Sequence, residues 1–391
     1  MVGVEVDAIL ERARGENWSL RVATPPDSEA LCALFREVSL GGALEVLQER
    51  DPDFFRLLDM HGGPHATCVL VDDAGRIGGC GSVATAPAWF DGREIQSGYL
   101  CDLRALPGFR GGRNLPLCYE VFMDWVRARY GAEVFTTVIF DSNIPALRAL
   151  QGGGRGQRAS QPLYVPVTPF EMLSVQFTRR QSPRRGTEGV RVANATDADI
   201  EELVDFLAAG QRRRRFGWRA SPDMYLQRWR QWPAFEPGDF LLARAGKDKR
   251  LLGCVAPWNT DSFKRTRVLG YHGAMRWQRM AFNLLASVRN WAHLPRPGEA
   301  FRFSFLTHLE VLDENPGVMA ALLDAAYDRL RPGGQHFMSA CVPRGSPLRA
   351  AFTPFRLQST AMTLYAVFRA DSPYARMDLG TRTPGFEMAL S

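Results

Sequence analysis

Lysine is nearly absent: of 48 basic residues only Lys247, Lys249 and Lys264 are lysines, the rest being arginine. Such a skew follows from a GC-rich genome as readily as from a binding surface. The net charge of +6 therefore favours anionic ligands without identifying one, and nucleic acid is not the expected partner. Cysteines are few and scattered. The seven include no CxxC pair and sit mostly inside apolar runs, which excludes a disulfide framework and a zinc site, so no metal is expected. No apolar run is long enough to span a bilayer. Residues 1–15 carry Glu5, Asp7 and Glu11 where a secretion signal needs a basic start and an apolar core. The expectation is a cytoplasmic chain with no membrane partner. Serine-hydrolase order, HExxH, GKS/T and EF-hand spacings are missing too, which leaves hydrolase, zinc-protease and nucleotide-triphosphatase readings without local support.

What is present is enough apolar sequence, 46% of 391 residues, for two ordinary domains. They look like copies. RVATPPDSEALCALF starts at Arg21 and RVANATDADIEELVDFL at Arg191, each a short strand, an Asp-bearing turn and an amphipathic helix. IGGCGSVATAPAW from Ile77 has its counterpart in LLGCVAPW from Leu251. The stretch between the copies, TRRQSPRRGTEG, is polar and lacks hydrophobic period, as a linker should be. The expected division is an N-terminal extension (1–17), a first domain (18–177), a linker (178–189), a second domain (190–370) and a tail (371–391).

In the first copy, pattern predicts a strand at 20–23, a helix at 28–38, a helical pair reaching residue 60, and a hairpin of strands 66–71 and 77–84. A strand over 95–106 then meets the junction LPGFRGGRNLPL. Beyond it Leu115, Cys118, Val121, Phe122, Trp125 and Val126 recur at helical spacing until Gly131. A strand at 133–140, a short helix from Asn143 and a strand pair within 163–177 complete the unit. A strand feeding a glycine-rich bend that opens a helix leaves backbone N–H groups converging in front of the helix's positive end. That arrangement suits a pyrophosphate.

The junction resembles the central motif of the GNAT superfamily of acyl-CoA-dependent N-acetyltransferases. Asp102-Leu103-Arg104-Ala105-Leu106-Pro107 matches its acidic-Leu-x-Val-x-Pro strand, and the run from Gly108 to Leu115 its glycine-rich loop. TTVIFDSNIPAL, with Asn143 and Ala146, matches the following segment. The resemblance implies an α/β (α+β) fold of two GNAT-like domains, each a mixed, mostly antiparallel twisted sheet flanked by helices. It implies acetyl-CoA or another acyl-CoA as co-substrate, held by Leu103, Ala105, Arg110, Gly111, Gly112, Arg113, Asn114, Leu115 and Asn143. It also implies a small-molecule or peptide amine as acceptor and Asp102 as the base. The simpler account of Asp102 is an ion pair with an arginine such as Arg104.

Arg113 and Leu115 stand where the family has small residues, and Leu150 where it often has a tyrosine. In the second copy Asp313 and Glu314 occupy the place of the pyrophosphate loop, which marks that domain as degenerate. These departures keep open a non-catalytic tandem fold that binds a ligand or acts as a scaffold. RNA-dependent aminoacyl transfer is a third reading, motivated by the run from Arg212 to Arg215, which reads otherwise as a solvated helix end. His61 and His65 read as loop residues, and His308 with Glu310 as a polar pair on one strand face. A helix over 275–291 carries Trp277, Met280, Leu284, Leu285, Val288 and Trp291 as a stripe expected to pack against the body.

Overall fold

Alternating residues make strands and 3.6-period residues make helices in the order the repeat suggests. In the computed structural model, which describes residues 6–15, 17–109, 114–151, 162–178, 189–369, 371–379 and 382–391, the first half runs as follows. It contains β1 (Trp18–Val22), α1 (Ser28–Glu37), β2 (Leu44–Glu49), α2 (Arg56–Asp59), β3 (His65–Asp72), β4 (Ile77–Phe90), β5 (Arg93–Ala105), α3 (Asn114–Tyr130), β6 (Val134–Phe140), α4 (Ile144–Gln151) and β7 (Leu163–Gln176). The second contains β8 (Val190–Asn194), α5 (Ile200–Arg213), β9 (Gly217–Trp218), α6 (Pro222–Gln231), β10 (Leu241–Ala245), β11 (Leu251–Asn259), β12 (Arg265–Tyr271), α7 (Ala274–Arg289), β13 (Phe303–Val311), α8 (Pro316–Leu330), β14 (Phe337–Pro343) and β15 (Leu357–Phe368).

One mixed sheet carries both halves, in the order β1-β3-β4-β5-β6-β15-β7-β14-β13-β11-β10-β8. Reading inward from either edge gives the same sequence of equivalents, so the halves are related about the β15–β7 pair. The two last strands are exchanged: β7 pairs with β14, and β15 with β6. The duplication reaches single atoms. Thr24 and Asp27 before α1, and Thr196 and Asp199 before α5, form the same capping box, in which the acid accepts the threonine N–H at 2.7 and 2.8 Å.

Helices cover the sheet with the faces their periodicity marks. Val121, Phe122, Trp125 and Val126 of α3 pack on Val83, Leu100 and Phe135. Val318, Leu322, Leu323, Ala326 and Tyr327 of α8 pack on Leu241, Val255 and Leu306. Each large aliphatic or aromatic side chain so buried stabilises the fold by about 1.5–3 kcal/mol.

Three expectations change. The region read as a helical pair contains β2, which pairs with β12 from the other half in a separate two-stranded sheet, with only the short α2 after it. Residues 163–176 form one long strand, because β7's partners come from the second half. The α7 stripe faces solvent, with Trp277 and Leu284 69% and 74% exposed. No helix among the described residues is long and apolar enough to cross a membrane.

Candidate active site

Two places in the sheet open. β5 and β6 run parallel and pair only from Ser97 with Val134 to Tyr99 with Thr136. Past Tyr99 their main chains do not pair; Thr137 Oγ1 donates to the Leu100 carbonyl at 2.9 Å, and β6 keeps its pairing with β15 along its other edge from Phe135 to Phe140. In the second half β13 and β14 likewise pair only from Phe303 with Phe337 to Phe305 with Ser339. Each opening is followed by a bulge of the same construction. Asp102 and His308 both take left-handed backbone, with φ of 58° and 51°. Their carbonyls accept the thiols of Cys80 and Cys254 at 3.3 and 3.5 Å. Each bulge lies in the pairing with the neighbour on the other side, β4 or β11, and bends the strand just past the opening.

The chemistry of the two bulges differs. Asp102 Oδ1 accepts Arg50 Nη2 at 2.6 Å, with both side chains almost wholly buried, and Oδ2 accepts the Cys101 thiol at 3.7 Å. The partner is Arg50, at the end of β2, and not Arg104, which donates to Gln48 Oε1 at 3.1 Å and lies over Phe35. Arg50 Nε and Nη1 have no hydrogen-bond partner among the described residues. Among the sequence-predicted donor-binding residues, Leu103 and Ala105 lie on β5 beyond its pairing with β6. Asn143 caps α4, its Oδ1 accepting Ala146 N–H at 3.3 Å. Arg110, Gly111, Gly112 and Arg113 fall outside the described residues; Asn114 and Leu115 open α3.

Several residues near this opening give no signal in the sequence, because the chain brings them from elsewhere. The His61 ring stacks on Tyr99 at 5.8 Å, and Nε2 meets the Leu390 carbonyl at 3.0 Å; burial pulls its pKa down. It lies in the turn after α2 and lines the site wall, whereas His65 is the first residue of β3 and not in a loop. Ser391 hydrogen-bonds the Tyr99 hydroxyl, and Phe386 lies 6.2 Å from the Tyr99 ring. Lys264, from the second half, donates through Nζ to the carbonyls of Ala389 and Ser391. Burial lowers its pKa to about 7, with the nearby Arg50 charge acting the same way and Asp102 opposing it. The second half thus builds part of the first half's opening.

A cavity of about 510 Å³ connects the two openings, touching Tyr99 and Thr136 at one and Phe305 and Ser339 at the other. Its cations are mostly paired. Glu310 accepts a hydrogen bond from Arg213 at 3.1 Å and is ion-paired with Arg214 at 2.6 Å, and Arg215 is buried against Asp91 at 2.7 Å. The arginine run is thus divided: Arg212 and Arg213 stand exposed at the end of α5, whereas Arg214 and Arg215 turn inward into ion pairs. Arg228 lies 4.4 Å from Trp218 and 5.4 Å from Trp232, with Nε donating to the Met60 carbonyl. Glu387 accepts the His308 N–H at 2.9 Å, and burial raises its pKa. His308 and Glu310 do not bond each other; the bulge sends the histidine ring among Trp232, Phe235 and Phe240. Asp313 and Glu314 follow β13, with Ser346 Oγ donating to Glu314 at 2.9 Å, so this junction presents carboxylates to any ligand. No cluster of metal-ligating side chains occurs among the described residues.

No protein-family model and no curated protein sequence matches the chain. Solved structures do. A GCN5-related N-acetyltransferase from Sphaerobacter thermophilus is 14% identical with a TM-score of 0.55, over 96% of this chain and 98% of that one. Saccharomyces cerevisiae N-myristoyltransferase with bound myristoyl-CoA is 10% identical with a TM-score of 0.58, over 90% and 78%. The GCN5-related glucosamine N-acetyltransferase region of a fungal multi-domain GH3 β-N-acetylglucosaminidase is 13% identical with a TM-score of 0.58, over 91% of this chain and 38% of that one. The chain has the tandem GNAT fold. At these identities the likeness is one of fold.

Proposed function

We propose that the chain is an acyl-CoA-dependent N-acyltransferase, with acetyl-CoA as the first donor to test, working at the β5–β6 opening. The observation that carries this is the coincidence of three features on β5: pairing lost after Tyr99, a bulge at Asp102, and the glycine-rich junction leading into α3. An unpaired strand edge offers main-chain donors and acceptors to the amides of a CoA arm, as an added strand would use them. The N–H groups at the start of α3 suit the pyrophosphate. The expected division into two domains and a tail fits this reading, with the second domain completing the acceptor side.

The acceptor amine enters from the cavity between the openings. It attacks the thioester carbonyl carbon, the C–N bond forms as the C–S bond breaks, and the thiolate leaves with the proton the amine gives up. A thiolate with a pKa of about 8.5 is a fair leaving group without a dedicated acid. The neutral amine is also within reach of ordinary pH. Burial of an amine in the cavity disfavours its charged form. Asp102, with Arg50 on one oxygen and Cys101 on the other, is assigned to positioning: the pair fixes the bulge and sets the local charge.

The departures at Arg113, Leu115 and Leu150 favour the non-catalytic reading. Free-thiol release from acetyl-CoA and longer acyl-CoA, with a panel of small amines and peptide N-termini, separates the two. Amine-dependent release supports the transferase. Donor binding with no release for any amine supports a binding protein.

A further inference from the structure

Of the eight large hydrophobic side chains that stand exposed among the described residues, five lie on α7. Trp277, Met280, Leu284, Leu285 and Val288 are 69%, 55%, 74%, 41% and 78% exposed. At 100° per residue they occupy one arc of about 140°. The orientation is fixed from the other side. Ala286 is buried, Asn283 exchanges hydrogen bonds with the main chain of Leu294 at 2.8 and 3.2 Å, and Arg279 Nε donates to the Pro295 carbonyl at 2.9 Å. These contacts of the inner face hold the apolar arc outward.

Charge indicates what covers it. The helix, AMRWQRMAFNLLASVR, has three arginines and no acid. Arg276 and Arg289 are exposed on opposite shoulders of the apolar arc, and exposed Arg356 adds a third cation over Phe282 at 5.7 Å. Glu45, at the helix's N-terminal end, is already paired with His272 at 3.1 Å. A second copy stacked on this face, parallel or antiparallel, would bring arginine against arginine at both ends. The sequence stretches 152–161 and 179–188 are polar and basic, and hold no aliphatic side chain larger than alanine or proline to cover the face.

We propose that α7 is an interfacial helix that seats the protein on an anionic bilayer surface, its apolar arc in the acyl-chain boundary and Arg276, Arg289 and Arg356 among the head groups. An amphipathic helix with cationic shoulders and a tryptophan binds in this way, with strength set by buried apolar area plus charge. The expectation of no membrane partner rests on the want of a spanning segment and does not bear on a helix lying flat. This inference is independent of the acyl-transfer reading.

The test is co-sedimentation of the full chain with phosphatidylglycerol vesicles and with phosphatidylcholine vesicles. The expected result is binding to the former and not the latter, weakened by salt. Leu284→Asp/Val288→Asp and Arg276→Glu/Arg289→Glu should each reduce binding about tenfold or more while leaving the melting temperature unchanged, since all four positions are exposed. Equal binding to both lipids, or to neither, overturns the proposal. So does a wild-type dimer by light scattering that the Leu284→Asp/Val288→Asp variant splits into monomers, with no vesicle binding, for then the face closes on a second copy.

Discussion

Arg50 Nη2 and Asp102 Oδ1 meet at 2.6 Å, with the side chains 2% and 3% exposed, and so tie the end of β2 to the β5 bulge that follows the β5–β6 opening. Buried charges of this kind are strongly interdependent, because either one left alone lacks both water and partner. Arg50→Met and Asp102→Asn are each expected to cost about 3–5 kcal/mol in urea unfolding, and the double variant less than the sum. If the pair acts as a unit, the two single variants also lower kcat by similar factors. An inactive Asp102→Asn beside an active Arg50→Met would instead make Asp102 the proton acceptor.

Lys264 sets a pH dependence with a definite sign. Its folded pKa is lowered by burial to about 7, whereas the unfolded lysine keeps an ordinary value of about 10.4. Between these values the unfolded chain holds a proton that the folded chain has lost, so Lys264's contribution to stability rises with pH across that window and is least favourable below pH 7. Lys264→Met is expected to remove this rise, read as the difference between the two proteins' unfolding free energies from neutral to alkaline pH. Parallel curves would contradict it.

Gly98 lies in the middle of the short β5–β6 ladder, opposite Phe135. A Cβ there would sit 2.6 Å from the Phe135 ring and 3.1 Å from Val83. Gly98→Ala is expected to cost about 1–3 kcal/mol through overpacking. Because the displaced ring abuts the opening, donor affinity should fall as well, measured by thermal melting and calorimetric titration together.

The two junctions are unequal, and stoichiometry reads that directly. Asp313 and Glu314 repel a pyrophosphate, so one acyl-CoA should bind per chain. Asp313→Gly with Glu314→Gly is not expected to add a second site at the first site's affinity, since β13 carries His308 among aromatic rings where β5 carries the Asp102 pair. A wild-type stoichiometry of two would contradict this.

Much of the fold was legible because duplication repeats its own signals: two Arg-Val-Ala starts, two Gly-Cys strands and two helices after a strand that ends at a junction. Strand exchange was not legible, since the patterns of β7 and β15 fix their faces but not which half supplies their partner. β2 was missed because its partner β12 lies more than two hundred residues away, and local pattern favoured a helix. At the site, Asp102 and β5 could be found from local motif, whereas Arg50, His61, Lys264 and Phe386 reach it from distant segments. The α7 stripe shows the limit of periodicity, which marks an apolar face but not whether the protein itself covers it.

LPGFRGGRNLPL and the β5 edge are proposed to hold an acyl-CoA. The most direct measurement is calorimetric titration with acetyl-CoA and myristoyl-CoA of the full chain and of Gly111→Asp, which sets a carboxylate in the glycine-rich junction. Saturable binding of at least one donor by the wild type, and its loss in the variant, is the expected result. Absence of binding for both donors, or equal binding by the variant, would contradict it.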